Sequence, residues 1–171
     1  ACEDSGRDPA GIRLLAVSKR HSLTAVQEAV AAGQLEFGEN FVQEAIAKIE
    51  ATAGTAARWH FIGHLQSNKT ALAATHFDWV HTVDRLKIAR RLSDQRSFHA
   101  PPLQVCIQVR LGDEGSKSGA EPAAVGELAA AVAELPRITR RGLMTLPPPS
   151  DDPAVQRAYV RAWGGVREAR V

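Results

Sequence analysis

Lysine is scarce in this chain, with Lys19, Lys48, Lys69, Lys87 and Lys117 the only five among 171 residues. The basic excess is mostly arginine scattered over predicted helices, and the net charge is only +2. That balance excludes the continuous basic stripe of a nucleic-acid surface. Cysteine is rarer still. Cys2 and Cys106 are isolated thiols without metal-ligand spacing, and Cys106, inside the apolar run Leu103 to Val109, reads as a small core residue. No apolar run reaches membrane-spanning length and no signal-peptide pattern opens the chain. The expectation is a reduced, cytoplasmic setting with neither membrane nor nucleic acid as partner.

What is present suits one domain, 1–171, with a sizeable core: 44% hydrophobic and 23% charged residues are ordinary globular values. Short apolar runs alternate with amphipathic stretches, which argues for βα units on a parallel sheet. Strands are predicted at 13–17, 35–37, 58–62, 79–82, 103–109 and 139–143. The helices between and after them are predicted at 23–32, 42–50, 68–75, 85–94, 122–135 and 153–170. Ser22 is the N-cap of the first helix and Gly33 its stop, and Pro122 suits a first turn. In the second helix Val42, Ala45, Ile46 and Ile49 share one face, while Lys48 and Glu50 point to solvent.

The most informative segment is Leu14-Leu15-Ala16-Val17-Ser18-Lys19. Without polar alternation it reads as a parallel strand covered on both faces, ending in an amine. The carboxyl end of such a strand faces the mouth of the sheet, where α/β folds place ligands. Partial burial there lowers an ammonium pKa, because desolvation disfavours the charged form. A neutral amine is what condensation with an aldehyde requires. A lysine merely snorkelling from a strand end is the plain alternative.

Five further blocks occur in order: Gly38-Glu39-Asn40-Phe41-Val42-Gln43-Glu44, Trp59-His60-Phe61-Ile62-Gly63-His64-Leu65-Gln66-Ser67-Asn68-Lys69, His81-Thr82-Val83-Asp84-Arg85-Leu86, Ser116-Lys117-Ser118-Gly119 and Arg141-Gly142-Leu143-Met144. With the Lys19 strand, their order and spacing resemble the YggS/PROSC family of pyridoxal-phosphate homeostasis proteins, over nearly the whole chain. The resemblance implies an α/β fold, a (β/α)8 TIM barrel of the alanine racemase N-terminal type. Only about six βα units are visible, so the sequence reads as an incomplete barrel lacking its C-terminal units. An open doubly wound sheet is the other fold considered.

The same resemblance implies that pyridoxal 5′-phosphate (PLP) is the cofactor, held as a reversible aldimine on Lys19. Lys117 matches a family lysine on the loop after strand five, and is either a secondary aldimine site or a loop lysine without a role. Family members often carry a second lysine two residues after the first, and here that position is His21. Asn40 either hydrogen-bonds the pyridine oxygen or serves as N-cap of the second helix. His60 faces the barrel interior or lies beside the cofactor ring, and Met144 covers a ring face or fills core. His60 and His64 do not read as a metal pair, because a glycine and a turn separate them, and no metal site is expected. Lys48 and Lys87 read as solvated, and Lys69 lies near the mouth. The family's phosphate grip falls in the units not visible here.

The function expected on this basis is intracellular PLP homeostasis by a non-catalytic carrier, monomeric, with apo-PLP enzymes as recipients. A racemase-type PLP enzyme of the same fold is the alternative. That chemistry needs acid/base groups on both faces of the substrate, and in racemases of this fold one is a tyrosine from a second domain. The sole tyrosine here is Tyr159, on the last predicted helix. A barrel binding some other phosphorylated metabolite is the third reading, and it leaves Lys19 unused.

Overall fold

The computed structural model describes residues 6–110, 118–147 and 149–168. Among them, strands and helices alternate from end to end. The order is β1 (Ala16–Val17), α1 (Leu23–Ala31), β2 (Glu36–Glu39), α2 (Val42–Ala51), β3 (Arg58–Phe61), α3 (Thr70–His76) and β4 (Trp79–Val83). Then come α4 (Leu86–Gln95), β5 (Leu103–Gln108), α5 (Val125–Ala133), β6 (Ile138–Met144) and α6 (Pro153–Glu168). Each predicted unit is present, with ends shifted by a few residues. Short 3-10 turns, Ser67–Lys69 and Pro122–Ala124, replace the first turns expected of α3 and α5.

The strands form one sheet, all parallel and in chain order β1-β2-β3-β4-β5-β6. With right-handed crossovers, a sequential order puts every connecting helix on the same face. A doubly wound sheet reverses its order at a switch point, and no reversal occurs here. The architecture is therefore α/β, six units of a barrel wall of the expected type. Its outer face carries Phe37, Phe61, Val80, Leu103 and Val105, buried against Val26, Val42, Ala73, Ile88 and Leu92 of the helices. Burying such a side chain contributes about 1.5–3 kcal/mol, so this layer holds the fold. Cys106 is buried too, as expected, and burial raises its thiol to about 11.

Local signals explain several boundaries. The Ser22 side chain accepts from the Ala25 amide at 3.2 Å and starts α1, and Gly33 comes just after that helix at φ +93°. Buried Arg96 donates to the carbonyls of Ala74, Phe77 and Pro101 at 2.7–2.9 Å. It thereby ties the end of α3 to the segment leading into β5.

The first strand corrects the sequence reading. Only Ala16 and Val17 pair, against Phe37 and Gly38, and Leu14 is 76% exposed. Val17 is exposed as well, so the apolar run is not covered on both faces among the described residues.

Candidate functional site at the barrel mouth

The carboxyl ends of the strands converge on one mouth, and β1 delivers Lys19 to its rim. Lys19 comes after the strand in the turn Ser18–His21, closed by the His21 amide donating to the Ser18 carbonyl at 3.0 Å. Val17 lies opposite Gly38, the last paired position of β1. Lys19 is exposed, not partly buried as expected. Arg20, the next residue, has φ +64°, a left-handed conformation that disfavours side chains other than glycine.

A buried charged cluster lies behind this turn. Lys48 Nζ donates to the Ser18 carbonyl at 2.8 Å, to Glu39 Oε1 at 2.7 Å and to Glu44 Oε1 at 3.0 Å. Ser18 Oγ donates to Glu39 Oε1 at 2.7 Å, and the Arg20 amide donates to Glu44 Oε1 at 2.8 Å. Lys48 was expected in solvent, but its side chain is 7% exposed and that of Glu39 0%. Burial works against the Lys48 ammonium, yet its hydrogen bonds to Glu39 and Glu44 outweigh it and raise the pKa above the ordinary lysine value. The Arg20 amide, with Lys48, holds the Glu44 carboxyl below its ordinary range.

Across the mouth lies a cavity of about 360 Å³, lined by Asn40, Gly63, His64, Thr82, Gln108, Arg110 and Ser118 among others. Gly63 has to be glycine: a Cβ there would stand 2.1 Å from the Asn40 carbonyl oxygen. That close approach joins the exits of β2 and β3. Ser118 Oγ and His64 Nδ1 hydrogen-bond at 2.6 Å, joining the exit of β3 to the segment beyond β5. Among the described residues, three buried atoms belonging to residues of this lining, Asn40 Oδ1, Thr82 Oγ1 and Gln108 Oε1, have no hydrogen-bond partner. An unsatisfied buried polar group costs about 1–3 kcal/mol, and three such groups on residues of one lining make this cavity the candidate site. Asn40 is not the helix cap: Phe41 holds that position, and its side chain makes no capping bond.

The inner face carries a second polar group. His60 Nε2 lies 2.6 Å from Glu36 Oε2, and His60 Nδ1 lies 2.8 Å from His81 Nε2. A carboxylate only accepts, so His60 donates to Glu36 and accepts from the His81 N–H. His60 also stacks on Trp79 with ring centroids 5.3 Å apart. Burial lowers both histidines, His60 against the pull of Glu36 and His81 down to about 4.

Of the residues predicted from sequence, Asn40 lines the cavity, whereas Lys19 follows β1 at the same end of the sheet and is not among the lining residues. His60 faces the interior, as one of its readings had it, but lies outside the lining of the cavity. Met144 ends β6 half-buried, and its carbonyl accepts from the Val109 amide at 2.8 Å. Lys117 lies outside the described residues. Among the described residues no group of three or more His, Cys, Asp or Glu side chains is placed to hold a metal ion, and no helix is long and apolar enough to cross a membrane. Thr82, Gln108 and the Lys48 cluster were missed. Strand-end position was the available signal for the first two, and the i,i+4 spacing of Glu44 and Lys48 for the third.

Comparison with known proteins agrees with this geometry. Residues 7–169 match the family described as alanine racemase, N-terminal domain. The chain is 53% identical over 169 residues to the pyridoxal phosphate homeostasis protein of Escherichia coli (strain K12), covering 97% of this chain and 70% of that protein. The structure of PipY from Synechococcus elongatus with PLP bound superposes with a TM-score of 0.85 at 36% identity, covering 98% of this chain and 78% of that one. Alanine racemase of Clostridium difficile 630 shares the fold alone, with a TM-score of 0.75 at 10% identity over 92% of this chain and 42% of that one.

Proposed function

We infer the function from the family: the chain belongs to the pyridoxal phosphate homeostasis proteins, built on the alanine racemase N-terminal fold, and we propose that it binds PLP at this mouth as an intracellular carrier. The observation that carries the reading is the cavity at the carboxyl ends of the strands, with three buried polar atoms of its lining residues partnerless among the described residues. Those residues fit the cofactor. The amides of Asn40 and Gln108 and the hydroxyl of Thr82 each donate or accept, as the polar substituents of a pyridine ring demand. When bound, PLP supplies an aldehyde that condenses reversibly with a primary amine, and Lys19 is the amine assigned to it. Exposure on the rim keeps Lys19 reachable, and Gly63 keeps the cavity open where a side chain would close it.

Catalysis is not part of this reading. The relatives at 53% identity carry the homeostasis name, and the racemase likeness extends only to the fold. The protein would hold PLP reversibly in the cytoplasm as a monomer and release it to apo-enzymes. Lys117 serves at most as a secondary site, and His60 and Met144 shape the interior around the mouth.

The test is the visible absorption spectrum of PLP-treated protein before and after borohydride, with mass spectrometry of the reduced digest. A reducible band is expected, with the label on Lys19. Lys19→Ala should remove the band and most of the label, whereas Lys117→Ala should leave both. A label sited chiefly on Lys69 or Lys117 in the unaltered chain would overturn the assignment. Steady amino-acid racemisation, lost in Lys19→Ala, would overturn the carrier reading in favour of an enzyme.

A further inference from the structure

We propose that Lys48, Glu39 and Glu44 form a clamp that fixes the turn carrying Lys19, making Lys48 and Glu44 positioning residues for that amine. The proposal rests on the PLP reading of Lys19 and concerns residues to which that reading gives no part.

The geometry is specific to the turn. Each member of the cluster makes at least one bond to Ser18 or Arg20, the residues flanking Lys19. Lys48 holds the Ser18 carbonyl, Glu39 accepts from the Ser18 hydroxyl, and Glu44 accepts from the Arg20 amide. Main-chain bonds add the Ser18 amide to the Gly38 carbonyl and the His21 amide to the Ser18 carbonyl, both at 3.0 Å. Lys19 is therefore the corner of a turn held on either side, although its own side chain is exposed.

The rest of the structure shows why a clamp is needed. The β1–β2 ladder ends at Val17, before the turn that carries Lys19. Arg20 sits at φ +64°, a conformation retained only where surrounding contacts over-determine it. The Glu44 carboxylate on its amide supplies such a contact. α2 thus reaches past β2 to hold a loop it does not adjoin in sequence.

A lysine meant to meet an aldehyde gains from this arrangement, because misplacement by about 1 Å can cost on the order of a hundredfold in rate. Lys48 itself cannot take that part. Its three hydrogen bonds and two carboxylate partners stabilise the protonated form, which is not nucleophilic.

Glu44 is the residue to change, because it is partly exposed and its loss should not unfold the chain. Glu44→Ala removes the acceptor for the Arg20 amide, and Glu44→Gln keeps one. In cofactor-free protein, amide exchange across Lys19–His21 should rise on the order of tenfold in Glu44→Ala, with β3 to β5 unchanged. Glu44→Gln should restore most of the protection. With PLP, the rate of borohydride-fixed labelling at Lys19 should fall on the order of tenfold in Glu44→Ala and recover in Glu44→Gln. Unchanged exchange in the turn, or an equal rise throughout the sheet, would overturn the clamp. Unchanged labelling beside raised exchange would overturn its positioning role. A wild-type chain labelled elsewhere than Lys19 would instead sink the assignment of the amine, and the exchange arm would still decide the clamp.

Discussion

Strand β2 carries a glutamate on each face, and the fold gives the two opposite kinds of partner. Glu39 faces the helices, fully buried, with a lysine ammonium at 2.7 Å. Glu36 faces the barrel interior, with the ring of His60 at 2.6 Å and exposed Arg13 at 3.9 Å. Their odd spacing along the strand sends them to opposite sides. The outer partner holds its charge at every physiological pH, whereas the inner partner is a histidine that burial keeps neutral. The contrast separates two settings for a strand carboxylate, one paired with a buried ammonium and one hydrogen-bonded to a histidine ring. A buried ion pair rarely adds net stability over apolar residues of similar shape. What the outer cluster holds, the backbone either side of Lys19, is therefore the better account of its presence.

Breaking the outer cluster should have the largest effect. Lys48→Met leaves Glu39 charged, buried and uncompensated, which should destabilise the fold by about 3–5 kcal/mol, read from urea denaturation. Adding Glu39→Gln to that background should recover at least half of the loss. A loss below about 1 kcal/mol would mean that the cluster is solvated and that the contrast between the faces fails.

The inner cluster should show itself in pH. His81 has an ordinary value of 6.5 and is lowered to about 4 in the fold. Between those values the unfolded chain binds the proton and the folded chain does not, so stability rises with pH. Acidification from pH 6.5 towards 4 should therefore remove on the order of 2–3 kcal/mol through His81, and His81→Gln should reduce the slope to what His60, also lowered by burial, contributes. The outer cluster contributes nothing in this window. Lys48, raised, gives stability that is lost only as pH climbs past the ordinary lysine range, and Glu44, lowered, gives stability lost only below the ordinary carboxylate range. An undiminished slope in His81→Gln would place the titration elsewhere.

The two faces also mark how far the sequence could be read. Strand and helix positions were legible because apolar period, the Ser22 cap and the Gly33 stop are local signals. The exposure of Leu14 and Val17 was not, since an unbroken apolar run reads as covered whatever packs against it. Lys48 looked solvated because it lies beside the apolar stripe of α2. Its counter-charge, Glu39, becomes visible only when strand and helix are docked. Asn40 carried two readings of equal merit, and the cap that Phe41 occupies decided against one of them. The polar atoms of Thr82 and Gln108 acquire meaning only from having no partner, which is a property of distances.

The smallest effect should come from the rim of the inner cluster. Arg13 and Glu36 form an ion pair by distance, but at 3.9 Å with an arginine side chain 69% exposed. Water screens such a pair, and holding a long side chain in one geometry offsets most of the remaining attraction, so exposed pairs contribute about 0–1 kcal/mol. Glu36 also loses little without it, because the hydrogen bond from His60 at 2.6 Å remains. Arg13→Ala should therefore change stability by less than about 0.5 kcal/mol. Raising the salt concentration should erase even that difference, since exposed charges are screened within about 10 Å at 0.1 M ionic strength. The same salt series should barely touch the Lys48→Met loss, whose charges are out of reach of counterions. Equal salt sensitivity in the two variants would show that both glutamates of β2 meet solvent alike, and the distinction between its faces would be lost.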